Sequence, residues 1–372
     1  QAIMNVPFLN LAAQYASLKE ELLPAVEQAL EAAHYILGPN VRELEAAVAG
    51  LSGARHGVGV NSGSDALTLA LRALDVGAGD EVITTPFTYI APAEAIHQVG
   101  ARIVFADIDP RRFTLDPERV AAKLSPRTRA IVPVHLFGQA VRWDEFEGLA
   151  RPGKVGIVED CAQAIGATYR GRPVGGLGDL GCFSFYPTKN LGANGDGGMV
   201  VTSDEGYEKR LRMLRVHGIE RRYYHDLHGY NSRLDELQAA VLRVKLRHLE
   251  AWNARRTAIA ARYSDGLRDL PVQLPRVGEG NTHVYHVYAI LTDRRDALQA
   301  FLAERGVATI IYYPLPLHLQ KVYADLGYRA GDFPVAESVA ARILPLPIYP
   351  ELTDSQVDYV IGCIREFSVA FG

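Results

Sequence analysis

Short apolar runs alternate with segments of helical period between residues 54 and 202. Seven of these runs are rich in β-branched and aromatic residues: HGVGV from residue 56, EVITTP from 81, RIVFAD from 102, RAIVPVH from 129, VGIVED from 155, CFSFY from 182 and GMVVT from 198. This alternation is typical of a mostly parallel sheet with crossover helices. The pattern therefore predicts an α/β fold with a seven-stranded mixed sheet.

Helical periodicity also marks the segments before and after this region. Segments near residues 15–33 and 41–52 predict two helices ahead of the sheet. The stretch 232–267 is amphipathic throughout and predicts one long helix that leads out of the sheet. We therefore predict one large domain over residues 1–270.

A smaller second domain is predicted after this helix. Pro271, Pro275 and Gly278 end the helical pattern. They are followed by the apolar segments HVYHVYAIL and VATIIYY, a helix-like segment over 294–305 and three further helix-like segments. We predict that residues 271–372 form a small C-terminal α/β domain.

Composition narrows the range of partners. The 372 residues are 48% hydrophobic and 22% charged, which suffices for a large core domain and a second one. A net charge of −4 without a basic block does not support binding to nucleic acid or to an acidic membrane surface. Three widely spaced cysteines fit reduced thiols better than a disulfide scaffold. No apolar run reaches the roughly 18 residues of a membrane span. These features predict a cytoplasmic protein.

The segment FSFYPTKNLGANGDGG contains the lysine that most needs an explanation. The chain has seven lysines, and six lie in polar helix-like or loop contexts where a solvated charge is the simplest interpretation. Lys189 instead follows an apolar strand-like run and precedes a glycine-rich loop. A lysine amine at the edge of an apolar pocket can lose its proton and attack carbonyls. The alternative is a surface lysine in a glycine-rich turn.

Other reactive side chains follow the predicted strands, at the edge where open α/β sheets bind ligands. Gly63 and Ser64 open a helix, which makes an anion site, although a plain helix cap is the alternative. Asp160 could pair with a protonated ring nitrogen, and Gln163 could reach a phenolic oxygen of the same ring, although a helix cap is an equally common role for Asp160. Tyr89 could stack on a flat heterocycle or belong to the core. Together with Lys189, this order is what a pyridoxal phosphate site needs.

Several of these motifs together resemble a known family. PFLNL, NSGSDAL, VEDCAQAIGA, FSFYPTKNLGANGDGG and GYNSRLDELQAAVL are similar to motifs of the DegT/StrS-type nucleotide-sugar aminotransferases. These enzymes belong to the fold type I, aspartate aminotransferase-like superfamily. The resemblance covers nearly the whole chain, and it implies a pyridoxal phosphate enzyme.

The resemblance also implies residue roles. Lys189 would hold the cofactor covalently and move the catalytic proton, and Asp160 would pair with the pyridine nitrogen. Gln163 would bond the ring hydroxyl, and Tyr89 would stack on the ring. The phosphate would be bound by Gly63, Ser64 and Ser184, and by Asn231 from the neighbouring subunit of a homodimer whose active site lies at the interface.

The tail of the lysine motif resembles the branch of the family that acts on 3-keto sugars. Its form is KNLGAxGDGG, whereas the branch acting on 4-keto sugars more often has KxxTTGEGG. The implied reaction transfers an amino group from L-glutamate to C3 of a dTDP-3-keto-6-deoxyhexose and gives a dTDP-3-amino-3,6-dideoxyhexose. Alternatives are a 4-keto or UDP- or GDP-linked sugar, and a non-catalytic regulator. The resemblance also implies a set of residues that contact the nucleotide sugar: Tyr186, Arg222, Tyr223, Tyr313 and His318. The alternative is that these are solvated loop residues.

Two further patterns are set aside. GLGDLG at residues 176–181 matches a dinucleotide-binding motif, but it leads into a strand rather than opening a helix. His217, His225 and His228 are close in sequence but lack a recognised metal-binding pattern. We therefore predict no metal site.

Overall fold

The computed structural model describes residues 3–150 and 155–371. Its α-helices are α1 (Leu11–Glu31), α2 (Pro39–Leu51), α3 (Gly63–Ala73), α4 (Ala91–Gln98), α5 (Pro117–Ala121), α6 (Trp143–Ala150), α7 (Glu205–Leu214), α8 (Glu236–Leu246), α9 (Leu249–Leu267), α10 (Arg295–Glu304), α11 (Pro334–Arg342) and α12 (Asp354–Phe371). Its strands are β1 (His56–Val60), β2 (Glu81–Thr84), β3 (Arg102–Phe105), β4 (Thr128–Ile131), β5 (Gly156–Asp160), β6 (Thr168–Tyr169), β7 (Arg172–Pro173), β8 (Leu180–Ser184), β9 (Gly198–Thr202), β10 (Ile219–Arg221), β11 (Tyr224–His225), β12 (Tyr288–Leu291) and β13 (Ile343–Leu346).

A seven-stranded sheet organises the first two-thirds of the chain. Its strand order is β1-β9-β8-β5-β4-β2-β3, and each strand overlaps one of the seven predicted runs. Strand β9 is antiparallel to both of its neighbours, whereas the remaining pairs are parallel. The predicted mixed α/β fold is therefore confirmed. Because β1, β2, β5 and β8 run in the same direction, their carboxyl ends lie along one edge of the sheet.

Both faces of this sheet are buried. Along β2, Val82 belongs to the apolar cluster that includes α3 and α4, whereas Ile83 belongs to a second cluster, which includes α2 and α8, on the other face. Cys182 and Phe183 divide in the same way along β8. Successive side chains of a strand point to opposite faces, so a strand covered on both sides needs apolar residues at every position. This explains the continuous apolar runs in the sequence.

The predicted single helix over 232–267 is wrong, because the structure has two helices, α8 and α9. The amides of Arg247 and His248 bond carbonyls three residues back, at 3.2 and 3.0 Å, which tightens the backbone and ends α8. Both side chains also bond Glu21 on α1, through Arg247 Nη2 at 2.8 Å and His248 Nε2 at 3.0 Å. The break is thus fixed by contacts with a distant helix.

A third apolar cluster lies beyond the sheet. Buried residues of α9 pack there with β12, β13, α10 and α12. The segment VATIIYY forms no regular strand, although Val307 makes a single parallel bridge to Val6. The division of the chain into domains at residue 270 stays a prediction. None of the helices in the described part of the chain is both long and apolar enough to cross a membrane.

The N-terminus of α2 is capped by a residue that lies far away in sequence. The residue before this helix is Gly38, which has no side chain to bond the free amides of the first turn. Glu236 does so instead: its carboxylate accepts from the amides of Asn40 at 2.6 Å and Val41 at 3.1 Å. The carboxylate is buried, and a side chain at Gly38 would lie 2.6 Å from it. This contact ties α2 to α8.

Replacing Glu236 with alanine should destabilise the protein by about 1–3 kcal/mol, because the buried amides of α2 lose their acceptor. The measurement is the melting temperature, with Glu250→Ala as the matched control. Glu250 is an exposed glutamate on the neighbouring helix. Equal melting temperatures for the two variants would contradict the capping role.

Candidate active site

The four strand ends that carry the predicted chemistry meet at one cavity of about 420 Å³. The cavity lies at the carboxyl edge of the sheet, next to the start of α3 and the segments after β2, β5 and β8. The structure thus brings together most of the predicted cofactor and sugar residues. The predicted residues that line it are Gly63, Ser64, Tyr89, Asp160, Gln163, Ser184, Tyr186, Lys189 and Tyr313.

The start of α3 forms the anion-binding part of the cavity. Ser62 caps the helix by accepting the Asp65 amide at 3.1 Å, while the amides of Gly63 and Ser64 have no partner within the helix. A side chain at Gly63 would lie 2.5 Å from Ser184 Cβ, so glycine lets Ser184 approach the helix start. Free amides and hydroxyls at a helix N-terminus suit a phosphate group.

Asp160 is the last residue of β5 and is 5% exposed. Its side chain accepts one hydrogen bond, from the Ala162 amide at 3.0 Å. Burial raises its carboxyl pKa, against the opposing effects of that hydrogen bond, Lys189 and His135. A buried carboxylate with so few donors is stabilised by a cationic neighbour, as a protonated ring nitrogen would be.

Glu159, immediately before Asp160, anchors the end of β5. Its carboxylate accepts from the amides of Gly175, Leu177 and Gly178 at 2.7–2.8 Å, and from His135 Nε2 at 2.8 Å. The GLGDLG motif is thus a turn that wraps an internal carboxylate.

His135, Glu159 and Cys161 form the group of potential metal ligands found within residues 3–150 and 155–371. His135 Nδ1 accepts from the Val141 amide at 3.2 Å, which places its proton on Nε2. Both ring nitrogens are therefore engaged by protein groups. The hydrogen bonds of His135 and Glu159 account for this group without an ion.

Lys189 lies in a turn after β8, where its amide donates to the Tyr186 carbonyl at 2.9 Å. Burial lowers the amine pKa to about 8, although the Asp160 carboxylate opposes this. Near physiological pH an amine with this pKa has a much larger neutral fraction than an ordinary lysine, and it can act as a nucleophile. The structure therefore supports the functional interpretation of Lys189.

Lys245 is a second buried lysine, and its interpretation as a solvated charge is wrong. Burial also lowers its pKa to about 8. Its amine donates to the Gly192 carbonyl at 2.7 Å and to Asn194 Oδ1 at 2.9 Å, and it does not line the cavity. Lys245 thus holds the loop that follows Lys189, whereas Lys189 faces the cavity.

Most glycines of that loop contact protein. A side chain at Gly192 would lie 2.3 Å from the Pro187 carbonyl oxygen, and one at Gly198 would lie 2.3 Å from the Ser62 carbonyl oxygen. Only Asp196 and Gly197 of the segment after Lys189 line the cavity. The residue types of the segment 190–198 are therefore set mainly by the packing of this loop against the protein.

Gln163 and Tyr313 form a contact across the cavity. Gln163 Oε1 accepts from the Phe137 amide at 2.8 Å, and its Nε2 donates to Tyr313 Oη at 3.1 Å. Tyr89 and Tyr186 are 59% and 53% exposed, so both rings are accessible to a ligand.

Four predicted residues do not line the cavity of the same subunit. His318 is buried, with Nε2 at 3.0 Å from Glu337 and its ring against Phe333. Because these neighbours enclose the ring, the structure corrects its predicted contact with the sugar. Arg222 and Tyr223 lie on the exposed β10–β11 hairpin, and Asn231 is also exposed. The role of Asn231 in a neighbouring subunit stays a prediction.

Other residues of the cavity were not predicted from the sequence. They include Thr88, Thr188, Asp196, His286 and Tyr312. His286 belongs to the apolar segment HVYHVYAIL and comes just before β12, so only a strand-end argument for the C-terminal region could have indicated it.

Residues 16–365 match the DegT/DnrJ/EryC1/StrS aminotransferase family. The chain belongs to this family. The family depends on pyridoxal phosphate, and structures of similar proteins include a PLP-form and one with bound cofactor PMP. The protein is therefore a pyridoxal phosphate-dependent aminotransferase of nucleotide sugars.

Relatives in the family differ in their names. A pleiotropic regulatory protein of Geobacillus stearothermophilus is 49% identical over 98% of this chain and 99% of its own. A UDP-N-acetyl-3-dehydro-α-D-glucosamine 3-aminotransferase of Acidithiobacillus ferrooxidans is 48% identical over 97% of both chains. A dTDP-3-amino-3,4,6-trideoxy-α-D-glucose transaminase of Streptomyces venezuelae is 47% identical over 98% and 96%. The crystal structure of S. venezuelae DesV superimposes with a TM-score of 0.96 at 47% identity, covering 98% of both chains.

The pKa of Lys189 leads to a prediction for this aminotransferase. Attachment of the cofactor to the apoenzyme needs a neutral amine, so its rate should rise with pH around a midpoint of about 8, well below the 10.5 of an ordinary lysine. The Asp160 carboxylate raises this pKa, so Asp160→Asn should move the midpoint to lower pH. The measurement is the visible absorbance of the attached cofactor.

Asp196→Asn is the matched control, because Asp196 lines the same cavity but does not contribute to the shift at Lys189. The control should keep the midpoint near 8. A midpoint near 10.5 in the unmodified protein, or movement to higher pH in Asp160→Asn, would show that the site is wrongly described.

Proposed function

We propose that this enzyme transfers an amino group from L-glutamate to C3 of a dTDP-3-keto-6-deoxyhexose, giving a dTDP-3-amino-3,6-dideoxyhexose. The observation that carries this proposal is the position of Lys189 beside Asp160 in a cavity that begins at the N-terminus of α3. The dTDP-sugar relative at 47% identity supports the nucleotide and the carbon. The KNLGAxGDGG form of the lysine motif supports C3 as well.

The residues of the site fit pyridoxal phosphate, and we propose their roles accordingly. Gly63, Ser64 and Ser184 bind the phosphate, Tyr89 stacks on the ring, and Gln163 bonds the ring hydroxyl. Asp160 stabilises the proton on the ring nitrogen. When bound, the cofactor supplies a ring that delocalises the electron pair of a broken C–H bond.

Lys189 is proposed to act twice. Its neutral amine first attaches the cofactor, and after the substrate amine has displaced it, the same Nζ moves a proton from the amino-bearing carbon. Its pKa of about 8 suits both roles, because the amine can accept and release a proton near neutral pH. Tyr186 and Tyr313, which line the cavity, are proposed to contact the sugar.

The enzyme is tested with purified protein, glutamate and a panel of keto sugars. We expect amination of the dTDP-linked 3-keto sugar and at least a 100-fold lower kcat/KM for the 4-keto isomer, on the order of what misplaced reacting groups cost. Lys189→Ala should abolish turnover. Lys123→Ala is the control and should keep turnover, because Lys123 is exposed and does not line the cavity.

The UDP-linked 3-keto sugar belongs in the same panel, because a relative at 48% identity is named for one. Preference for it would change the proposed nucleotide but not the proposed carbon. Amination of only the 4-keto sugar would reject the proposal, and loss of all turnover with intact cofactor binding would favour a regulator.

We also propose that the enzyme is a homodimer with its active site at the interface. Lys189 is the only lysine or arginine lining the described cavity, yet glutamate carboxylates and a nucleotide diphosphate need cations. Arg222 and Tyr223 lie on a hairpin, and Tyr223 is 77% exposed. We propose that this hairpin and Asn231 reach the cavity of a second subunit.

The cytoplasmic location of the enzyme stays a prediction.

Mixing two variants, one inactive and one with weakened sugar binding, tests this arrangement. Lys189→Ala removes the nucleophile, and Arg222→Ala should raise the KM for the nucleotide sugar about 10-fold or more, the cost of a charge-assisted hydrogen bond. If the sites are shared, unfolding and refolding the two variants together should restore part of the activity at low sugar concentration. Activity equal to the sum of the separate variants, or a monomer by light scattering, would contradict the interface.

A further inference from the structure

His286 lines the cavity but has no role in the reaction described above. It precedes β12 and reaches the cavity beside Lys189, from the opposite part of the chain. Its Nδ1 lies 3.1 Å from Oδ1 of Asn190, the residue that follows Lys189. The histidine and the lysine loop are therefore joined by one hydrogen bond.

The direction of that hydrogen bond follows from two backbone carbonyls. Asn190 Nδ2 donates to the Val284 carbonyl at 3.0 Å and to Asn253 Oδ1 at 2.8 Å. Asn253 Nδ2 in turn donates to the Ile165 carbonyl at 3.0 Å. Carbonyl oxygens only accept, so both amide groups have a fixed orientation.

Asn190 Oδ1 is therefore an acceptor, and His286 Nδ1 must carry the proton that it accepts. In the neutral imidazole, the other nitrogen then has a lone pair. Within the described residues, none makes a hydrogen bond to this Nε2. Burial, with Lys189 and Arg256 nearby, lowers the His286 pKa well below its usual value, so Nε2 remains an acceptor.

We propose that His286 Nε2 accepts a hydrogen bond from a hydroxyl of the bound keto sugar, and that Asn190 is the positioning residue that fixes its tautomer. The inference rests on the proposed function. A lone pair repels the carbonyl oxygen of the sugar and the carboxylates of glutamate, which are acceptors themselves. A hydroxyl is an uncharged donor, and a nitrogen that resists protonation suits it.

Two variants separate the ring nitrogens. His286→Asn puts an amide near the position of Nδ1, so it can keep the bond to Asn190 while it loses the acceptor at Nε2. His286→Gln puts an amide oxygen near the position of Nε2 but loses the contact with Asn190. The two half-reactions of each variant are followed separately by cofactor absorbance, one with glutamate and one with the keto sugar.

We expect His286→Asn to slow the sugar half-reaction by about 2- to 13-fold at low sugar, the value of one neutral hydrogen bond, with the glutamate half-reaction unchanged. His286→Gln should recover most of the sugar rate. Should the asparagine variant lose the cofactor, His286→Phe removes the acceptor while it keeps a ring of similar size.

The inference is overturned if His286→Asn slows both half-reactions equally. It is also overturned if His286→Gln slows the sugar half-reaction as much as His286→Asn does, or if neither variant slows it. A slower glutamate half-reaction alone would assign Nε2 to the ammonium of the amino donor and would also overturn it. Failure of the unmodified enzyme to aminate any keto sugar would instead reject the proposed function, so the two failures can be told apart.

Discussion

The carboxylate of Glu159 fixes the part of the sheet on which the active site depends. Three amides of the turn at 175–178 bond to it, so the end of β5 is joined to the segment that enters β8. In the resulting register Asp160 lies opposite Cys182. Since Lys189 follows β8 by a few residues, this register sets where the lysine stands relative to Asp160. A slip of one residue would turn Asp160 to the other face of the sheet.

The fold, and the meeting of Lys189, Asp160 and the start of α3 at one cavity, could be predicted because their determinants are local. Each buried strand is a short apolar run, and each reactive residue follows the end of such a run. Parallel strands then bring these ends to one edge of the sheet without further information. This explains why Lys189, Asp160 and the start of α3 were found together.

The remaining features depend on contacts between distant residues. Glu236 caps a helix that begins almost 200 positions earlier, Glu21 takes part in breaking the 232–267 segment, and Lys245 is buried by the loop it holds. No local pattern distinguishes them from solvated charges. His318 shows the opposite error: the family resemblance predicted a contact with the sugar, but Glu337 and Phe333 enclose the side chain. Side chains that act through tertiary contacts cannot be assigned from spacing alone.

We propose that Lys189 attaches the cofactor, rather than Lys245, whose amine pKa burial also lowers to about 8. The direct measurement is borohydride reduction of the cofactor-loaded enzyme, followed by proteolysis and mass mapping of the peptides that carry a pyridoxyl group. We expect the label on Lys189 alone. A label on Lys245, or a loaded enzyme in which reduction fixes no pyridoxyl group to Lys189, would contradict it.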